Sequence, residues 1–351
     1  MLTGMNTRST RPHRRRPVTV VASVLAASAL TLGLAACSTD SPAPSPQGNG
    51  DASVSLDGPG FRTADADTAA LGTDAKEGQW PRTIRHAKGE TTLERRPERV
   101  VVIDGGELDV ALAYGVTPVG VVTSGGGETP SYLADRTAGV ETAGTYKDPN
   151  LEKIAALKPD LIIGSALRVG ELYDRLSQIA PTVLSIRPGV PWKEDARLFA
   201  QAMGREKEYR EVFGRYNDRV AALRGRIPAD GTVSLVRFMG EEVRLYANGS
   251  FAGVILKDLG IARPPVEDVP DLRVKLSEEK IDSISGDRVL YSAYGDQGEG
   301  QLRRVVDGPL WSRVPAVEKG RAEQVPDETW FLGLGPLGAD RVLDDLERMY
   351  P

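Results

Sequence analysis

NLEKIAALKPDLIIG, Asn150 to Gly164, is written a second time 127 residues later as SEEKIDSISGDRVLY, Ser277 to Tyr291. Glu152, Lys153, Ile154 and Asp160 recur as Glu279, Lys280, Ile281 and Asp287. Each copy opens on a helix-capping residue type (Asn150, Ser277) and runs through two turns apolar at helical spacing. It breaks at Pro159 or Gly286 and closes on a short apolar run, LII or VLY. That is helix, turn, strand, written twice. A solenoid would repeat every ~20–50 residues, so the spacing predicts two similar α/β lobes instead.

The flanking sequence fills out both lobes. From Trp80 the chain reads ERVVVID as a strand, GGELDVALAYG as a helix and VTPVGVV as a strand; after the first copy come the helix GELYDRLSQIA and the strand PTVLSI. Apolar strands alternating with amphipathic helices predict a mostly parallel sheet covered on both faces. Trp192 to Ile227 then keeps helical periodicity through Phe199, Met203, Phe213, Tyr216, Val220 and Leu223, as one long helix or as two if Gly204 or Gly214 bends it. The alternation resumes with TVSLVRFM and EVRLYA, a hairpin near Gly240, the helix SFAGVILKDLG, the second copy and the final helix GADRVLDDLERMY. The expected architecture is two Rossmann-like lobes, 80–190 and 229–351, joined by a connector helix over 191–228, with a cleft between them.

The N-terminus is of another kind. Residues 1–36 combine basic RPHRRRP, an apolar core from Val18 to Leu34 and small residues, the pattern of an export signal. Three consecutive arginines leave the choice of Sec or twin-arginine export open. Leu34-Ala35-Ala36-Cys37 resembles the bacterial lipobox; the resemblance implies cleavage before Cys37, lipid attachment there and retention on the outer face of the cytoplasmic membrane. A plain secretory signal or a single span is the competing reading, but the apolar run is shorter than the ~20 residues a span needs. Cys37 is the sole cysteine, so no internal disulfide is possible. Residues 37–79, rich in Ser, Pro, Gly, Ala, Asp and Thr, are expected to be a flexible tether, too poor in apolar side chains to offset ordering. Without the five arginines of residues 1–36, 39 basic residues face 49 acidic ones, a net charge of −10. Such a surface does not attract nucleic acid.

With lobes, connector, lipobox and tether in place, the chain resembles the ABC-transporter substrate-binding proteins that serve ferric siderophores, haem and vitamin B12. The stretches that carry the resemblance are RVVVID with LAYGVTPVGVV, GTYKDPNLEKIAALKPDLIIGSALR, LYDRLSQIAPTV, RLYANGSFAGVILKDLGIARPP, LSEEKI, GPLWSRVPAVEKGRAEQV and VLDDLERMY. They are most similar to the actinobacterial and Gram-positive iron-siderophore branch. The resemblance implies a monomeric, non-enzymatic protein. It would capture a ferric siderophore of hydroxamate type and deliver it to a dimeric ABC permease.

Residue chemistry agrees with a chelated rather than a naked metal. Beyond residue 36 the chain has one histidine, His86, and its cysteine is assigned to lipid, so a direct transition-metal site is not expected, an all-oxygen site from Asp, Glu and Tyr being the alternative, and no resident cofactor is needed. Chelate oxygens call for Arg, whose planar fork remains charged when partly buried. Arg168 follows the strand DLIIGS, at the sheet end where open α/β folds place ligands; a solvated helix cap is its alternative role. Arg237 stands alone in an apolar strand and is either ligand-facing or salt-bridged. Arg244, with Glu241 and Glu242 nearby, is a third candidate. For an aromatic wall the candidates are Trp330 and Tyr294, near glycines at strand ends, and then Trp192; Tyr146 and Phe251 read first as core.

Glu152 and Glu279 stand second in their expected helices, where the helix dipole favours a carboxylate by ~0.3–1 kcal/mol. The resemblance implies more: one such glutamate per lobe docks onto arginines of a permease subunit, with the ligand sought away from that surface. No GxSxG, HExxH or P-loop is present, and GLGPLG, Gly333 to Gly338, leaves no room for a dinucleotide-binding unit after it. Haem or cobalamin binding on the same scaffold, and a surface sensor or adhesin, are the alternatives.

Overall fold

The computed structural model describes residues 54–55, 60–124, 128–228 and 231–351. The expected export signal at 1–36 and the lipidation site at Cys37 lie outside the described residues. Chain order begins with β1 (Val54–Ser55) and the hairpin β2 (Arg82–His86) and β3 (Gly89–Leu93).

Lobe one contains β4 (Val100–Ile103), β5 (Gly120–Thr123), β6 (Glu141–Thr145), β7 (Asp148–Pro149), β8 (Leu161–Ser165) and β9 (Thr182–Ser185), in the sheet order β7-β6-β5-β4-β8-β9. All but β7 run parallel. β4, β5, β8 and β9 are buried at every residue, as strands covered on both faces must be. Lobe two contains β10 (Val233–Phe238), β11 (Val243–Tyr246), β12 (Arg273–Leu276), β13 (Arg288–Ala293) and β14 (Ala322–Gln324), in the order β1-β12-β11-β10-β13-β14. β10, β13 and β14 are parallel, and the expected hairpin turns β11 antiparallel. In both sheets the chain leaves the first central strand to one side and later returns to the other. The switch points therefore lie beside the carboxyl ends of β4 and β10.

The repeat has a structural purpose in both lobes. Ile154 and Ile281 are buried anchors. Asp160, just before β8, accepts the backbone N–H groups of Glu98 and Arg99 at 3.1 and 2.8 Å, tying down the start of β4. Asp287, just before β13, accepts the backbone N–H and hydroxyl of Thr232 at 3.0 and 2.8 Å, tying down the start of β10. The copies differ in their helices. Asn150 Oδ1 caps an α-helix, Leu151–Ala156, through Lys153 N at 2.9 Å, whereas Ser277 makes no cap bond and a 3₁₀ helix, Glu278–Ser283, replaces the α-helix expected there. Gly286 is obligatory: a Cβ would lie 2.6 Å from Ser234 N.

The connector, open in the sequence to one helix or two, is a helix pair, Trp192–Met203 and Glu206–Arg224, because Gly204 takes the left-handed conformation that ends a helix. Trp192 packs on Phe213 and Tyr216 of the second helix at 5.5 and 5.4 Å, so the pair folds into a hairpin. The tether does not extend to residue 79. Phe61 is 2% exposed, its neighbour Arg62 forks onto Asp271 at 3.1 Å, and the helix Ala64–Ala69 follows. One aromatic anchors this polar stretch, and Gly249 leaves it room: a Cβ there would meet the Phe61 ring at 2.7 Å.

A single hydrophobic core joins the lobes. Val100 and Val102 of β4, the connector residues Trp192 and Phe199, and Val233 and Leu235 of β10 belong to it. The opposite faces of β4 and β10 pack into separate outer clusters. Period-two alternation places Arg237 on the face of Val233 and Leu235, at the end of the strand.

Candidate functional site

At the lobe-one switch point the chain leaves β4 through Asp104, which stands at φ 89°, a strained conformation for a residue with a side chain. Its Oδ1 accepts from Gly105 N at 2.7 Å, capping the helix Gly105–Ala113, and from Ser124 Oγ at 2.7 Å. Its Oδ2 accepts from Arg168 Nε at 2.7 Å. The Arg168 guanidinium, 24% exposed, lies 4.1 Å from the ring centre of Tyr146, just past β6. Burial works against this cation, but Asp104 and Tyr146 outweigh it and raise the Arg168 pKa. Behind Asp104, Glu107 is buried with Oε2 unpartnered; burial first, then Asp104 beside it, pushes its carboxyl well above the usual range.

Lobe two repeats the arrangement with different strands. Arg237, on β10, donates from Nε and Nη2 to Asp327 at 2.6 and 2.5 Å, and from Nη1 to Tyr246 Oη at 3.1 Å. Ser292 of β13 donates to Asp327 Oδ1 at 2.6 Å. The Tyr294 ring centre lies 4.6 Å from the guanidinium, with Phe331 at 5.4 Å. Burial alone would lower the Arg237 pKa; Tyr246 and Asp327 raise it instead. Arg237 is thus salt-bridged, with 5% of its side chain exposed.

The two assemblies are linked. Gly105 abuts Pro130 and Ser124, and next to Pro130, Ser131 N donates to Glu328 Oε2 at 2.8 Å. Glu328 adjoins Asp327 on the short helix Asp327–Trp330. A second joint holds the lobes: Asp109 of lobe one accepts from Leu337 N and Gly338 N at 2.8 and 2.7 Å, at the start of the final helix, Pro336–Met349.

Among the remaining candidates, Tyr294 is 39% exposed and available to a ligand. Trp330 and Trp192 are 0% exposed and belong to the core, which corrects the expected aromatic wall. Trp330 faces inward to give its Nε1–H to Asp345 at 2.8 Å, and Trp192 is held among Phe213, Tyr216 and Phe251. Phe251 is core as well, whereas Tyr146 is the ring beneath Arg168. Arg244 is the cross-strand partner of Arg237 and is held by Glu242 at 2.5 Å. It lines an open recess of about 1120 Å³ with Met239, Lys275, Gln297 and Glu279. The expected separation of ligand and docking residues is therefore not kept at Arg244. Glu152 and Glu279 are exposed, second in their helices, and their side chains form no ion pair or hydrogen bond among the described residues.

Sequence reasoning missed Asp104, Ser124, Ser292 and Asp327. The signal was available: a half-buried Arg requires a carboxylate, and VVID-GG and PDETW each place one at a strand or helix end. No group of three or more His, Cys, Asp or Glu suited to a metal occurs among the described residues, and His86 lies on β2 with Thr91 and Tyr173 as its side-chain neighbours.

Residues 100–329 match the model of a family described as periplasmic binding protein. The probable siderophore-binding lipoprotein YfiY of Bacillus subtilis is 35% identical over 286 residues, covering 77% of this chain and 87% of that protein. The achromobactin-binding periplasmic protein of Dickeya dadantii is 31% identical over 265 residues, covering 72% and 86%. Among solved structures, Staphylococcus aureus SirA complexed with staphyloferrin B superposes with a TM-score of 0.69 at 31% identity, covering 76% of this chain and 97% of that one.

Proposed function

The chain belongs to the periplasmic binding protein family, and from that premise we propose that it captures an iron(III) chelate of hydroxamate type between its lobes for delivery to an ABC permease dimer. It is a substrate-binding protein for ferric siderophores and not an enzyme. The observation that carries the ligand assignment is the arginine on a tyrosine ring at each sheet's switch point, Arg168 on Tyr146 and Arg237 on Tyr294. Guanidinium N–H groups suit chelate oxygens, and the rings suit apolar linkers. Iron enters as part of the ligand, with no resident cofactor.

Glu152 and Glu279, exposed and without a side-chain partner among the described residues, serve as one docking contact per lobe for the two permease subunits, a reading supported by their matched positions in the two copies of the repeat. Residues 1–36 direct export, and lipidated Cys37 tethers a monomeric body to the outer face of the cell membrane. Calorimetric titration of the purified protein with ferrioxamine, ferric coelichelin, haem and cobalamin tests the assignment. Binding of a ferric hydroxamate but neither macrocycle supports it; failure to bind any ferric siderophore overturns it.

A further inference from the structure

The two assemblies share a composition that the repeat does not account for. Lobe one offers Ser124, Asp104, Arg168 and Tyr146; lobe two offers Ser292, Asp327, Arg237 and Tyr294. In lobe one the aspartate ends the central strand and the arginine follows its neighbour. In lobe two the arginine sits on the central strand and the aspartate comes from a helix beyond the last one. Different positions thus arrive at one constellation: an arginine laid on a tyrosine and neutralised by an aspartate that a serine holds in place.

Each aspartate contacts its arginine at hydrogen-bond distance and is itself largely buried, Asp104 most of all. The guanidiniums therefore meet a ligand as ion pairs of zero net charge. Beside them, Arg244 shares the single carboxylate of Glu242 with Lys275 at 2.8 Å and Arg273 at 3.8 Å, so it is not paired one to one as Arg168 and Arg237 are. The two arginine–aspartate pairs recognise hydrogen-bond acceptors without rewarding excess negative charge. A multiply anionic chelate would bring its charge against Asp104 and Asp327 in a partly desolvated space, where like-charge contacts are penalised. Three hydroxamates neutralise iron(III) completely; citrate and catecholate chelates remain anionic.

We infer that Asp104 and Asp327 are specificity-determining counterions that restrict the site to iron(III) chelates of zero or low net charge. The inference rests on the proposed ligand contacts of Arg168 and Arg237. Its test is calorimetric titration of the purified protein with ferrioxamine, ferric dicitrate and a ferric tris-catecholate. The wild-type protein should favour ferrioxamine over either anionic chelate by at least about tenfold, and Asp104→Asn and Asp327→Asn should each erode that ratio by about tenfold. Asp104→Asn suits the strained backbone at this position, so it keeps the test open where Asp327→Asn unfolds. The double variant Arg237→Met with Asp327→Asn removes a whole pair, and should weaken binding while leaving the ratio unchanged. A wild-type preference for an anionic chelate, or a ratio unmoved by both single substitutions, overturns the inference. Failure of all three chelates to bind overturns the siderophore assignment beneath it.

Discussion

Ser131 reaches from lobe one to Glu328 of lobe two, its backbone N–H donating to one carboxylate oxygen and its hydroxyl to the other. Glu328 neighbours Asp327, so one of the contacts between the lobes and the anchoring of Arg237 share one short helix. Glu328→Ala should cost about 1 kcal/mol, a fall in melting temperature of roughly 2 °C. Small-angle scattering of the unliganded variant should show a larger radius of gyration. An unchanged radius means the contact does not hold the lobes together.

Arg168→Ala and Arg237→Ala should each weaken ferric siderophore binding by about 10- to 100-fold, the worth of one charge-assisted hydrogen bond. Arg237→Ala should also cost about 3–5 kcal/mol of stability, because Asp327 loses its partner in a buried setting. Arg237→Lys should fail to restore affinity, since an ammonium cannot span both oxygens of Asp327 and still reach Tyr246. Calorimetry and thermal melts separate the two effects.

Trp330→Phe should leave affinity unchanged and lower stability by about 1–3 kcal/mol, because the indole is core and its N–H satisfies Asp345. A loss of affinity at unchanged stability would restore Trp330 to the ligand site.

Glu152→Ala and Glu279→Ala should alter stability by less than about 0.5 kcal/mol and leave binding intact, since neither side chain has a described partner. Uptake of radiolabelled ferric siderophore by cells carrying either variant should fall. Normal uptake by the double variant refutes the docking role.

His86 makes stability fall with acid. Burial lowers its pKa from 6.5 to about 4. Its Nδ1 accepts from Lys88 N at 3.2 Å, and Nε2 lies 3.0 Å from Thr91 Oγ1, whose own proton goes to Thr182 O. Both contacts suit the neutral ring. The unfolded chain takes up a proton near pH 6.5 and the folded chain only near 4, so the contribution is intact above pH 6.5 and is lost as pH falls through that window. Melting temperatures from pH 7 to 4 should fall less steeply for His86→Gln than for the wild type.

Elements with strong local periodicity were legible in the sequence. β4, β8 and β9 and the helix Gly105–Ala113 lie where apolar runs and helical spacing place them. The repeat pointed to two lobes, and Asp160 and Asp287 show why its aspartate recurs: each fastens the start of the neighbouring strand. The hairpin of β2 and β3, the strands β6 and β7, and the docking of Phe61 were not legible, because their short or polar sequences become ordered through tertiary contact. Arg168 and Arg237 could be named from charge and strand position, but their partners come from 64 and 90 residues away. The tryptophans misled for a related reason. Closeness to glycine marks a loop in sequence, yet at Trp330 the chain turns the indole inward to Asp345.

Pairing Arg168 and Arg237 with aspartates also bears on how the proposed ligand would find them. An isolated cation in a low-dielectric groove casts a field that gathers anions from beyond the Debye length of ~8–10 Å, and that field weakens as salt is added. An ion pair is a dipole whose reach is far shorter. Encounter with the chelate should therefore proceed by unsteered diffusion, at a rate nearly indifferent to ionic strength, in dilute and saline surroundings alike.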